Sequence, residues 1–143
     1  MTAEDRVDTR AGAEKGNGRR LVHLCTNAEW EQACRIGERV APSLTADGFI
    51  HLSAPYQVHL PANRLFAGRA DLLLLWLDVA RLQAPLRWEA GVAGDPGSMR
   101  FPHLYGPIPV AAVVNTSYYA PDENGTFPAL TADPEQWPAS RSG

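Results

Sequence analysis

Asp71-Leu72-Leu73-Leu74-Leu75-Trp76-Leu77-Asp78 is the most hydrophobic stretch of the chain, and aspartate closes it at both ends. The run is too short for a fully buried helix and far short of the ~20 apolar residues that span a bilayer. Apolar residues without alternation are what a strand covered on both faces presents. Residues 71–78 therefore read as a central strand, and the other segments are placed around it.

Upstream, Arg20 to Cys25 reads as a first strand. Thr26 or Asn27 then caps a short amphipathic helix over Ala28–Arg35, with Gly37 as its stop. Val40–Asp47 holds Pro42 and small polar residues and reads as a loop or a short strand. Gly48–Ser53 is a strand whose alternation puts Phe49, His51 and Ser53 on one face and Ile50 and Leu52 on the other. Tyr56–Ala67 reads as a second helix. Pro61 inside it implies a kink or two shorter pieces.

Downstream, Leu86–Glu89 is a strand with Leu86 and Trp88 on one side and Arg87 and Glu89 on the other. Ala90–Arg100 carries three glycines, a proline and an aspartate, and reads as a mobile loop bordering a cleft. Pro109–Thr116 is a β-branched strand continuing towards Tyr119, and Thr126–Leu130 is a last short strand. Helices come early and strands late. That order predicts an α+β fold with a small, mainly antiparallel split sheet flanked by two early helices. Residues 1–19 are polar and glycine-containing and read as a disordered extension. Residues 20–130 form a single α+β domain, and 131–143 a loosely held tail.

Composition narrows the function classes. The chain has 143 residues, 45% hydrophobic, which suits one core. The net charge of −3 with interspersed signs gives no basic footprint for nucleic acid and no polybasic patch for a membrane. The N-terminal segment lacks the apolar core of a secretory signal, so a cytoplasmic protein is expected. Cys25 and Cys34 are expected as free thiols, and no Cys-x-x-Cys pair suggests structural zinc. Phosphate-binding glycine motifs and the nucleophile elbow are missing.

The chemistry-bearing residues are His23, His51, Ser53, Glu89, His103 and Tyr105, scattered over strand ends. Phe101-Pro102-His103-Leu104-Tyr105-Gly106-Pro107 concentrates them. In an extended segment His103 and Tyr105 share a face, and the prolines stiffen it. One histidine in an apolar strand is usually a hydrogen-bonded core residue; three on separate short strands point to a common cleft. Glu89 follows Trp88, and a carboxylate against an aromatic wall either shifts its pKa or faces a developing cation. A plain Arg87–Glu89 pair on a solvated face is the bland alternative. Arg64, on the second helix, is placed to meet an anionic group or to remain a surface cation. Metal-type ligand spacing is absent, so no metal is expected.

His23-Leu24-Cys25-Thr26, Trp30, Gly48–Ser53, Ala62-Asn63-Arg64-Leu65-Phe66, Trp88-Glu89 and Phe101–Pro107 occur in the order seen in a bacterial family of uncharacterised proteins, domain of unknown function 952, which the chain resembles over roughly Leu21–Leu130. Leu52 stands where members often carry cysteine. The family is similar in fold to the ADP-ribosyltransferases, which bind NAD between two small sheets. That resemblance implies His23 at the ribose, Ser53 or His51 at the nicotinamide end, and Glu89 facing the reacting sugar, although the second-strand tyrosine of that pattern is missing.

These observations lead to three readings. The first is a small transferase or NAD glycohydrolase, with NAD as substrate and no other cofactor. Its catalytic residues are His51, Glu89 and His103, and its substrate-binding residues are His23, Thr26, Ser53, Arg64 and Tyr105. The second keeps the site but acts by acid/base chemistry on a small metabolite, as an isomerase, cyclase or hydrolase. The third is a non-catalytic ligand- or protein-binding module. The expected partner is a small molecule, and the oligomeric state is open.

Overall fold

The structure, a computed structural model, describes residues 20–91, 96–97 and 99–130. The expected extension at 1–19, the tail at 131–143 and residues 92–95 and 98 of the glycine-rich loop lie outside the described residues. What is described is α+β, built from small antiparallel sheets and a few short helices.

The apolar run forms β4 (Leu72–Asp78), the middle strand of a three-stranded sheet between β1 (Arg20–Thr26) and β8 (Val113–Tyr118). Both pairings are antiparallel, and the β4–β8 register shifts at Trp76/Leu77. Strand alternation sends the side chains of β4 into two different cores. Leu73, Leu75 and Leu77 pack with Leu21, Cys25, Ile50, Leu52, Leu104 and Ile108. Leu72, Leu74 and Trp76 pack with Val22, Val58, Ala62, Tyr119 and Phe127. Both faces of this sheet are therefore covered, which is why the run lacks polar residues.

α1 (Asn27–Ile36) starts at a capping box. The Thr26 hydroxyl accepts from the Glu29 N–H at 3.1 Å, and Glu29 accepts from the Thr26 N–H at 2.8 Å. It ends at Gly37, whose φ of 104° favours glycine. β2 (Glu38–Arg39) follows and pairs with β7 (Ile108–Pro109).

The segment read as loop or short strand is instead α2 (Pro42–Asp47). Pro42 stands at its first position, where the fixed φ suits a helix and the missing N–H costs nothing. The second helix is in two pieces, but not at the proline expected to divide it. A 3₁₀ turn (Pro55–Gln57) precedes α3 (His59–Phe66). Pro61 is not itself the break, because it lies in the first turn of α3, where an N–H has no acceptor within the helix.

β3 (Ile50–His51), β6 (Arg100–Leu104) and β5 (Leu86–Ala90) form a second three-stranded sheet in the order β3-β6-β5. The strand expected to start at Pro109 is interrupted. A 3₁₀ turn at Val110–Ala112 separates β7 from β8. Thr126–Leu130 is not a strand. Both backbone groups of Phe127 bond the Asn63 amide instead, at 2.7 and 3.0 Å, so one side chain does the work of a ladder partner. Among the described residues the two larger sheets meet at one bridge, where Val22 and Ser53 exchange N–H···O bonds of 2.8 and 2.9 Å.

Candidate functional site

Strand register decides which side chains meet. His51 lies opposite His103 across β3–β6, and Arg87 opposite His103 across β6–β5, with Glu89 opposite Phe101. Opposed residues project to the same face, and so do alternate residues along a strand. One face of the β3-β6-β5 sheet therefore carries Phe49, His51, Arg87, Glu89, Phe101, His103 and Tyr105. The opposite face gives Ile50, Leu52, Leu86 and Leu104 to the core.

Glu89 is the hub. Its Oε1 accepts from the Tyr105 hydroxyl at 2.7 Å and lies 2.8 Å from His103 Nδ1. Partial burial pushes the Glu89 carboxyl up. The hydrogen bonds from Tyr105 and His103, with the adjacent charges, outweigh that and hold it below its ordinary value. An ionised carboxylate only accepts, so Nδ1 of His103 carries the proton and Nε2 of the neutral ring carries the lone pair. Nε2 makes no hydrogen bond among the described residues, and it is not a buried orphan. The Tyr105 phenol is pushed up, chiefly by its bond to Glu89, and stays a donor.

Phe49 stacks on the His103 ring at 4.0 Å and 13°, so the imidazole is fixed in plane as well as by its carboxylate. His51 meets His103 edge to face at 5.3 Å. Its Nε2 lies 3.5 Å from Asp47 Oδ2, and its side chain is half exposed. Burial pushes its pKa down, helped by the charges of His103 and Arg64 and opposed by Asp47. The Arg87 guanidinium stands 5.3 Å from the centre of the Tyr105 ring. The plain Arg87–Glu89 pair is thus not formed: Glu89 bonds His103 and Tyr105, and Arg87 lies over the phenol.

His23 belongs to a different network. Its Nδ1 donates to the His51 carbonyl at 3.0 Å, and its Nε2 accepts from Arg39 Nε at 3.1 Å. Arg39 is also 3.6 Å from Glu29. Burial, then the Arg39 charge, pushes the His23 pKa down to about 3. Both ring nitrogens are engaged, so the geometry gives His23 no atom for a ribose and makes it a brace behind His51. The Thr26 hydroxyl accepts the Glu29 N–H that caps α1. Ser53 is buried at the bridge between the sheets. Arg64 lies on α3, and its charge reaches His51.

Sequence reasoning did not single out Phe49, Asp47 or Arg39. Phe49 was legible from its alternation with His51. Asp47 and Arg39 carried no signal, because the turn at Gly48 and the two-residue strand β2 place them. Among the described residues no group of three or more His, Cys, Asp or Glu is set to hold a metal ion. Both cysteines are free. Burial pushes the Cys25 thiol up to about 12, while Cys34 is exposed. No helix among the described residues is long and apolar enough to cross a membrane.

A family profile described as a protein of unknown function, DUF952, matches residues 24–116. The chain belongs to the DUF952 family. The crystal structure of protein CC0527 from Caulobacter crescentus is similar, with 35% identity, a TM-score of 0.66, and coverage of 76% of this chain and 93% of that one. The solution NMR structure of CC0527 gives 36% identity and a TM-score of 0.62, covering 75% of this chain and 90% of that one. No curated protein matches the sequence. This DUF952 chain and its bacterial relative therefore share a fold, and the chemistry of the site rests on its own residues.

Proposed function

We propose that this DUF952 protein binds a small molecule on the histidine-bearing face of the β3-β6-β5 sheet and transfers a proton there, with His103 as general base. The observation that carries this reading is the shared acceptor: Glu89 Oε1 takes both the His103 Nδ1–H and the Tyr105 O–H. A carboxylate on Nδ1 fixes the tautomer that leaves Nε2 basic, and it stabilises the imidazolium once a proton arrives. Phe49 locks the ring, so little reorganisation accompanies the transfer. His51, across the strand pair, is the second imidazole in reach of a bound molecule and returns or relays the proton. Isomerisation, cyclisation and hydrolysis all use such a pair.

A thermal-shift screen of small metabolites tests this. A ligand at a hundred times its Kd stabilises by ~2.7 kcal/mol, a rise of roughly 10 °C for a domain this size. The wild type should then exchange a substrate hydrogen for solvent deuterium, and folded His103→Gln should bind without exchanging. Equal exchange by His103→Gln would end the base assignment. Binding with no exchange in either protein would favour a non-catalytic binding module.

One observation favours a second reading, the ADP-ribosyltransferase-like one. Glu89 Oε2 makes no hydrogen bond among the described residues, so one oxygen of an ionised carboxylate is open to a cationic centre. Such a carboxylate stabilises the oxocarbenium-like charge that forms when the nicotinamide–ribose bond of NAD breaks. His23 does not support this reading, because both its ring nitrogens are engaged. Release of nicotinamide from NAD by the wild type, lost in Glu89→Gln, would select it. No release, and no change in melting temperature with NAD or ADP-ribose, would remove it.

A further inference from the structure

Arg87 has an unusual position for an exposed arginine. It is the register partner of His103 and lies two residues from Glu89 on the same face of β5. A guanidinium that close to an ionised carboxylate ordinarily pairs with it. Here Glu89 Oε1 takes His103 and Tyr105 and, among the described residues, Oε2 stays open, yet the guanidinium sits over the Tyr105 ring at 5.3 Å and not on the carboxylate. Among the described residues none of its five N–H donors has a hydrogen-bond acceptor. The tyrosine holds the cation beside the imidazole while leaving its hydrogen-bonding edge open. A planar fork of donors with an open edge matches a carboxylate or a phosphate, which it grips through two parallel bonds.

We infer that the ligand of this face carries an oxyanion and that Arg87 holds it, a role that rests on the acid/base reading of His103 only for what happens next to it. The arrangement completes the charge balance of proton transfer. The substrate proton moves to His103 Nε2, and the electron pair of the broken bond stays on the substrate. The new imidazolium faces Glu89, and the new negative charge faces Arg87. Each developing charge then has a fixed partner of opposite sign. Arg87 is thereby a specificity residue: an anionic substrate gains a charged, two-pronged partner there that a neutral one does not.

Inorganic phosphate and acetate are the probes, titrated into the full-length protein with the ¹⁵N side-chain resonances of the arginines as readout. Arg87 Nε should shift saturably at low-millimolar probe and should still do so in moderate salt, where loose accumulation around surface arginines is screened out. Arg87→Gln should weaken binding about ten-fold or more, Arg87→Lys should recover part of it, and Arg35→Gln should change nothing. A response to phosphate alone identifies a phosphorylated ligand, and to acetate alone a carboxylic acid. His103→Gln should keep the response, so failure of the base assignment and failure of the anion site are told apart. A wild type that responds to neither probe, or an Arg87→Gln that binds as tightly as wild type, overturns the assignment.

Discussion

Protonation of His23 should destabilise this protein from the inside. The ring sits at 5% exposure between the His51 carbonyl and Arg39, donating through Nδ1 and accepting through Nε2. A second proton has one place to go, Nε2, where it meets the Arg39 cation. The pKa is accordingly pushed down from 6.5 to about 3. The folded state thus binds this proton less readily than the unfolded chain. The stability it contributes is complete above pH 6.5 and is lost as pH falls towards the folded value. With those two pKa values the loss between pH 7 and pH 5 is about 2 kcal/mol, a fall in Tm of roughly 8 °C. Urea unfolding of wild type and His23→Gln at pH 7, 6 and 5 measures it, since glutamine keeps an N–H for the His51 carbonyl but cannot titrate. Wild type should lose about 2 kcal/mol more than the variant over this range. His51, also lowered, contributes with the same sign to both proteins and cancels. Glu89 is lowered from 4.5, so its contribution is present above that pH and is lost below the measured window. Parallel losses in the two proteins would refute the account of His23 as a neutral, doubly bonded brace.

Gly106→Ala should destabilise by ~1–3 kcal/mol, because a Cβ there would stand 2.6 Å from the Ala84 methyl; thermal unfolding measures it, and Ala84→Gly in the same background should restore most of the loss. Asn63→Ala removes both bonds to Phe127 and should cost ~1–3 kcal/mol, with faster amide exchange at Phe127 than in the β4 strand. Glu89→Gln should bring the Tyr105 phenol down towards its ordinary pKa, read from the ¹³C shift of the ring during alkaline titration; an unchanged titration would mean that the carboxylate is not its partner.

Legibility followed the range of the interactions that fix each part. β4 was readable because an unbroken apolar run has few solutions, and the structure buries every residue from Leu72 to Leu77. The same face of His51 with Phe49, and of Arg87 with Glu89, followed from alternation alone. Two things were not readable. One was local competition: Pro42 starts a six-residue helix in a segment that also suits a loop, and its packing decides. The other was register. No property of Glu89 says whether it pairs with Arg87 two residues away or with His103 fourteen away, because that depends on how β5 slides along β6. His23 shows the same limit from the other side. Its apolar strand suggested a cleft, but its partners are a carbonyl on β3 and an arginine on β2, neither visible from Leu-Val-His-Leu.

The distribution of buried surface explains why the chemistry sits on the smaller strands. In the β1-β4-β8 sheet both faces of β4 feed a core, so a polar side chain there must satisfy itself internally, as His23 does. The β3-β6-β5 sheet gives Ile50, Leu52, Leu86 and Leu104 to a core on one face. Its other face buries Phe101 and His103 but leaves Glu89, Tyr105 and Arg87 partly or fully exposed, so an imidazole, a carboxylate, a phenol and a guanidinium stand side by side near the surface. The sheets are joined at Val22–Ser53, and the His23 bond to the His51 carbonyl lies directly beside that joint. Loss of His23 would therefore loosen β3 against β1 and carry His51 away from His103 without touching either ring. A His23→Ala protein should consequently lose the edge-to-face contact between His51 and His103, seen as a ring-current shift of the His51 protons, while the Glu89–His103 pair on the far strand stays intact. If both contacts vanish together, the two strand pairs are one unit and His23 does not brace β3 alone.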